Sequence, residues 1–424
     1  MFLNPRGALG TSDQPYSPRR REVGTVRAKT SESDRLVKDL RMIRLAFPLL
    51  AILIFVTGCT HRSTDQPPAP GTAASVPIPK HPHDYIARYE GSIAEMPVVM
   101  YLNRNGRSIW GSYYYVKSGI PIPLADRDSL SMLETPYGDT VENIIKLQEL
   151  NDTEYTGTWS GGGRTAVIKL HEAYPAGSYP FAPWMIEDSL VVHVRPQVSN
   201  TLMSSAALSL PDETMPESQR KFFVRSMGGY FLDSSKTEEE LKASIQKRQK
   251  AYFDSSKSEI ISYAAESTDS DLANDSYMYD YYDHQTVMVR DCFDDIVILQ
   301  YLVSSYSGGA HGMYGEVMHV LDLKGEKELK LSDVTSAYSS TLSRLLEKWY
   351  RKQYHLQPGE KLSDHIFEDT IPANRNFFIT KNGLGFIYNP YEIASFADGI
   401  IQIVIPFSDL KGKLTPWFMK RMGL

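Results

Sequence analysis

The sequence predicts an α+β protein: an N-terminal antiparallel β meander or barrel-like domain, then a mixed α+β domain. Three observations carry this. Residues 84–170 hold short aromatic and β-branched runs broken by glycine and Asn-Gly, the pattern of consecutive hairpins. Lys236-Thr237-Glu238-Glu239-Glu240 reads as a helix start, with Thr237 as cap and Glu240 three residues on, as in a capping box. From Thr286 onward, strand-forming runs dominate again.

The first 58 residues are expected to lie outside both domains. Residues 1–41 are polar, rich in arginine and serine, and lack hydrophobic periodicity, so they read as a disordered or non-native extension, with translation expected to begin at Met42. Residues 42–58 have the parts of a signal peptide: Arg44, the apolar run Leu45–Val56, then Thr57-Gly58. That run is too short to span a bilayer, which needs about 20 residues as a helix. Cys59 directly after the small residues resembles the lipobox of bacterial lipoproteins, in which the cysteine is acylated. The resemblance implies membrane attachment through Cys59 and a location in the bacterial cell envelope.

Residues 59–83 are a proline-rich tether. Pro67, Pro68, Pro70, Pro77, Pro79 and Pro82 stand among small and polar residues. Such a segment is an extended spacer of about 3.1 Å per residue, able to hold a folded domain about 70 Å from its anchor.

Charge and cysteine count narrow the partners. The chain has 45 Lys+Arg against 51 Asp+Glu, and loss of residues 1–58 leaves 35 against 46. An acidic protein of this kind is a poor ligand for nucleic acid, whose phosphates need a basic surface. With Cys59 lipidated, Cys292 is the one cysteine left, so no intramolecular disulfide is available. Its acidic setting, Asp291-Cys292-Phe293-Asp294-Asp295, disfavours a thiolate and reads as a packed strand residue.

The β-domain is expected over residues 84–180. Tyr89–Ile93, Pro97–Leu102, Ser108–Val116, Asn143–Leu150, Tyr155–Trp159 and Thr165–Leu170 are its predicted strands. Tyr113–Tyr115 and Trp159 would serve either as a sugar-stacking face or, more commonly, as cross-strand packing. A second unit is expected to open with a strand at Asp188–Val198 and a helix from about Pro216, weakened at Gly228-Gly229. Leu241, Ile245 and Tyr252 then follow the capped start at helical spacing. Tyr279, Tyr281 and Tyr282, interleaved with Asp280 and Asp283, suggest a half-exposed recognition surface.

Two motifs stand out in the C-terminal half. The first is Tyr306-Ser307-Gly308-Gly309-Ala310-His311-Gly312; the second is Asn389-Pro390-Tyr391-Glu392-Ile393-Ala394. The glycine run leads into a strand, not a helix N-terminus, so it lacks the context of a phosphate cradle. His311, Glu316 and His319 lack the short spacing of a zinc site, and Ser307 lies in no Gly-x-Ser-x-Gly elbow. Glu392 is expected to hydrogen-bond to the glycine loop.

In their order and spacing, the two motifs resemble the C-terminal domain of unknown function of RsiV-type lysozyme-sensing anti-sigma factors, found also in some peptidoglycan deacetylases. The resemblance spans about residues 188–414. This chain departs from both contexts: a lipid anchor stands in place of the sigma-binding segment and transmembrane helix, and the deacetylase catalytic domain and its metal motif are absent. What the resemblance implies is a binding module, with a lysozyme-like hydrolase or peptidoglycan as partner. The expected function is therefore that of a lipid-anchored, non-enzymatic envelope binding protein with no cofactor and no metal. The candidate binding or structural residues are Tyr306, Gly308, Gly309, His311, Gly312, Asn389, Pro390, Tyr391 and Glu392. A competing reading is an enzyme acting on peptidoglycan through His311 and Glu392; a third is a structural envelope lipoprotein.

Overall fold

Eight short antiparallel strands between Tyr85 and Glu172 close on themselves in the computed structural model, which describes residues 84–128, 130–135, 142–231, 236–268 and 279–424. The extension, signal peptide, Cys59 and tether lie outside the described residues. Among the described residues, no helix is long and apolar enough to cross a membrane.

The strands are β1 (Tyr85–Ile93), β2 (Met96–Asn105), β3 (Ser108–Tyr115), β4 (Ile122–Asp128), β5 (Ser131–Glu134), β6 (Ile144–Asn151), β7 (Glu154–Gly161) and β8 (Arg164–Glu172). β1 pairs with β2 on one edge and with β8 on the other, from Tyr89↔Glu172 to Ile93↔Ile168, which makes a barrel. Closure removes the free edges that an open meander would expose. Tyr85, Tyr89, Met100, Leu102, Tyr113, Leu124, Met132, Ile145, Tyr155 and Ile168 fill the interior. Gly91 is required at the seam: a Cβ there would run into the backbone carbonyl of Lys169. β4 and β5 were not expected, because Pro121, Pro123 and the charged Asp126-Arg127-Asp128 hide their alternation.

Tyr113 and Trp159 belong to this packing rather than to a sugar face. Buried Glu134 accepts the Tyr113 hydroxyl at 2.5 Å, the Trp159 indole N–H at 2.6 Å and the Asn143 amide at 2.8 Å.

The sheet continues beyond the barrel, joined to β1 at Ile86↔Phe181, in the order β14-β13-β12-β11-β10-β9. These strands are β9 (Phe181–Arg195), β10 (Val198–Pro211), β11 (Tyr282–Phe293), β12 (Ile296–Tyr306), β13 (Met313–Asp322) and β14 (Lys327–Glu328). β9 starts seven residues before the expected Asp188, since its pairing with β10 continues to Phe181↔Pro211. β11 lies parallel to β10, so the chain must cross over between them. Helices α1 (Glu217–Tyr230) and α2 (Glu238–Glu266) make that crossover. α1 runs through Gly228-Gly229 to Tyr230, and α2 has the expected cap: Thr237 accepts the Glu240 N–H at 3.2 Å. The Glu240 carboxylate accepts the Lys236 N–H at 2.7 Å. Phe223, Met227, Leu241 and Ile245 bury themselves against Leu208, Val287, Val289 and Leu299 on one face of the sheet. Asp294 and Asp295 (φ 50° and 58°) form the two-residue turn from β11 to β12.

A third layer covers the far part of the other face. It comprises α3 (Leu331–Val334), α4 (Ser339–Gln353), β15 (Phe377–Ile379), β16 (Gly383–Tyr388), β17 (Ile401–Pro406) and α5 (Pro416–Met422). The antiparallel sheet β15-β16-β17 and α4, through Leu342, Leu346 and Tyr350, enclose one core with Ile298, Met318 and Val320.

Barrel and sheet meet at a buried polar junction. The Tyr101 hydroxyl, from β2, accepts the Cys292 N–H at 2.8 Å. Arg88, 1% exposed, donates to the Ala173 carbonyl at 2.7 Å and pairs with Glu90 at 2.8 Å. Cys292 is fully buried and burial pushes its thiol up, which suits a packing role. Asp291, on a β-bulge of β11, is also buried; desolvation outweighs the nearby Arg88 charge and raises its carboxyl to about 6. Between the ordinary carboxylate value and 6, the folded chain holds a proton that the unfolded chain has released. Stability from this group is therefore present at low pH and lost as pH rises through that window. Asp291→Asn should remove this group's slope: the change in unfolding free energy from pH 4 to pH 7, measured by denaturant titration, should be more favourable in the variant than in the parent by about 2–3 kcal/mol.

Candidate functional site

Strand register decides which of the sequence-predicted residues share a face. Opposed residues in a sheet point the same way. Ser189, Met203, Tyr282 and Tyr306 form one row across β9–β12. Glu187, Ser205, His284, Ser304 and Tyr314 form the next, and Met185, Ala207, Thr286, Leu302 and Glu316 the third. This face is opposite the one covered by α1 and α2. Towards β9 it is open, with Met185 46% and Met203 39% exposed.

The tyrosine cluster divides accordingly. Tyr282 lies on the open face, stacked on Tyr306 (6.1 Å between centroids) and on His284 (5.1 Å). Tyr281 is 2% exposed and packs with Val192, Leu202, Phe253 and Ile260, so it is not part of a recognition surface. Burial, then the Glu259 carboxylate, pushes its hydroxyl up to about 12. Tyr279 stacks on Tyr263 at 4.2 Å.

The glycine motif is the β12–β13 connection. Gly308 and Gly309 both take φ 95°, a backbone open to glycine alone, and the Tyr306 hydroxyl donates to the Gly309 carbonyl at 2.9 Å. A Cβ on Gly312 would collide with the Tyr282 hydroxyl, so the loop is shaped around that ring. Exposed His311 sits at its tip.

The second motif meets the first in space. Asn389 sits beside Gly315; its side-chain oxygen accepts the Glu316 N–H at 2.7 Å and its amide donates to the Glu316 carbonyl at 3.1 Å. Asn389-Pro390-Tyr391-Glu392 is a tight turn closed by the Glu392 N–H on the Asn389 carbonyl at 3.0 Å. Proline at its second position and φ 69° at Tyr391 give it type II character, where glycine is usual at the third. The Tyr391 hydroxyl lies 3.4 Å from His311 Nε2. Phe396 completes the group, with its centroid 4.1 Å from His311, 5.3 Å from Tyr314 and 6.0 Å from Tyr391. Glu392 does not reach the glycine loop as expected: Asn374 lies 3.4 Å from its carboxylate, and Tyr391 makes the contact instead.

His311, Glu316 and His319 do not converge. Glu316 is buried and receives the Gln300 amide, while His319 stacks on Tyr230 at 3.5 Å and bonds Glu328 at 2.6 Å. Phe396 and Tyr314 lie outside both motifs, and no local pattern singles them out. The result is an aromatic surface: Tyr282, Tyr306 and Tyr314 on the sheet, with His311, Tyr391 and Phe396 at its rim. Tyr391 is 52% exposed. Exposed Glu187, Asp280, Glu392 and Asp398 add acidic charge to the sheet face and its surroundings.

An α+β protein with a closed β-barrel and an open aromatic sheet face is what the fold and site define. Residues 329–408 match a family described as "Protein of unknown function (DUF3298)". The matched stretch holds the Asn389 turn and Phe396, not the glycine loop. Among solved structures, a DUF3298-family member from Bacteroides fragilis is similar at 21% identity and TM-score 0.48, over 58% of this chain and 98% of that one. A DUF3298-family protein from Pseudomonas aeruginosa is similar at 14% identity and TM-score 0.34, over 56% and 96%. No curated protein matches the chain.

A residue held at positive φ without being glycine costs of order 1–3 kcal/mol. Tyr391→Gly should therefore raise stability by about 1 kcal/mol in denaturant titration while removing the exposed ring. A loss of stability would mean that the ring is there for packing.

Proposed function

We propose that this chain is a lipid-anchored, non-enzymatic binding protein of the bacterial cell envelope whose open aromatic face docks onto a lysozyme-like hydrolase. The observation that carries the reading is the convergence of two sequence-distant motifs on one exposed aromatic rim, His311, Tyr391 and Phe396. Exposed aromatics grouped beside a rigid sheet are the usual anchors of a protein interface. The strained Tyr391 backbone supports recognition, because the turn carries strain while presenting a half-exposed ring.

Charge supports a cationic partner. The chain is acidic, and the exposed Glu187, Asp280, Glu392 and Asp398 carry the same sign. The resemblance to RsiV-type sensors points the same way, and the Cys59 anchor with its tether would keep the folded domain attached to the membrane. The Tyr391 hydroxyl rather than the Glu392 carboxylate lies beside His311 Nε2, which favours the binding reading over an enzyme that pairs His311 with Glu392.

The test is capture of purified hydrolases and of peptidoglycan fragments by the full-length protein in detergent, at low and high salt. A lysozyme-type protein should be retained at low salt and released at high salt, and Tyr391→Ala with Phe396→Ala should weaken capture about tenfold or more. Retention of peptidoglycan alone would replace the protein partner by a glycan. Retention of neither would overturn the proposal.

A further inference from the structure

The helix-bearing face of the same sheet carries a second feature. α2 packs there through two apolar clusters, one with Leu241 and Ile245, the other with Phe253 and Ile260. At the intervening four-residue step stands Gln249, over Ser204, Asp283 and Gln285 of β10 and β11. A polar layer thus interrupts the seam and lines an open cleft of about 250 Å³, also walled by Phe231, Arg248 and Tyr252.

The polar groups are only partly used. The Gln249 amide donates to the Ser204 carbonyl at 3.0 Å, and the Gln285 amide to Asp283 at 2.9 Å. The Tyr301 hydroxyl donates to the Gln285 side-chain oxygen at 3.0 Å. Arg248 donates one N–H to the Phe231 carbonyl at 2.6 Å, with its guanidinium 5.8 Å from the centre of that ring. Among the described residues, neither Arg248 nor Asp283 has an ion-pair partner: the salt bridges of α2 are those of Lys242 and Lys250.

We infer that this cleft binds a small zwitterion, a free amino acid or a dipeptide, with its carboxylate on Arg248 and its ammonium on Asp283. A guanidinium offers paired N–H groups that match a carboxylate, and a carboxylate is the natural partner of an ammonium. A simple anion would face Asp283 and a simple cation would face Arg248, so both charges are needed. Phe231, Ile245 and Ala206 supply apolar wall for a side chain. At about 250 Å³ the cleft lies just below the usual range of drug-sized pockets, which restricts it to a ligand as small as an amino acid or dipeptide.

The experiment is calorimetric titration of the full-length protein in detergent with the common amino acids and alanine-containing dipeptides. At least one should bind saturably, and its decarboxylated amine and deaminated acid should each bind at least tenfold more weakly. Arg248→Gln and Asp283→Asn should each weaken binding tenfold or more with unchanged circular dichroism. Absence of binding across the panel would overturn the inference, as would single-charge analogues that equal the parent. The analogue comparison uses the unaltered chain, so it stands even where a variant misfolds. The cleft and the aromatic surface lie on opposite faces of the sheet, so either proposal can fail without the other.

Discussion

The free edge of β13 is closed by two asparagine side chains, and the arrangement of the candidate site depends on that contact. β13 pairs with β12 along its length but with β14 only at Leu321 and Asp322. Beyond that point its outward N–H and C=O groups need partners, because an unpaired strand edge invites other chains. Asn389 takes both backbone groups of Glu316; Asn376 accepts the Met318 N–H at 2.8 Å and donates to the Glu316 carbonyl at 2.7 Å. A side-chain amide carries one acceptor and one amino donor group, so it can imitate a peptide unit of a neighbouring strand. Each such bond contributes about 1 kcal/mol net. Their positional effect is larger, since they pin the third layer and carry Pro390 and Tyr391 to the rim beside His311.

This contact explains why the second motif was legible as a unit while the roles within it were not. Asn389 and Pro390 are structural, Tyr391 presents its ring outward, and Glu392 turns towards Asn374. Nothing in the local pattern assigns those directions, because they come from a turn closed on a strand distant in sequence. Tyr281 and Tyr282 show the same limit more sharply. They are adjacent and of one kind, yet alternation sends one into a core and the other onto the open face. Only the register Met203↔Tyr282↔Tyr306 decides between them.

The barrel was more legible because local rules suffice there. Aromatic and β-branched runs separated by glycine turns define hairpins without long-range information. Closure also sets where the large aromatics go, with Tyr113 and Trp159 both spent on Glu134. β4 escapes notice because its exposed end is charged, and β5 because it is only four residues long and ends in the buried Glu134. In the sheet, the two faces have separate chemistry: aromatic and acidic on one side, a polar gap under a long helix on the other. That separation follows from a parallel crossover that puts both helices on a single face.

Side-chain amides substitute for a strand along β13 and so hold the aromatic rim in place. Residue-resolved hydrogen exchange of the Glu316 and Met318 amides, in the parent and in Asn389→Ala, tests it directly. Glu316 should lose protection strongly while Met318, held by Asn376, should lose much less. Unchanged protection at Glu316 would contradict it, and with it the explanation of why Tyr391 and His311 meet.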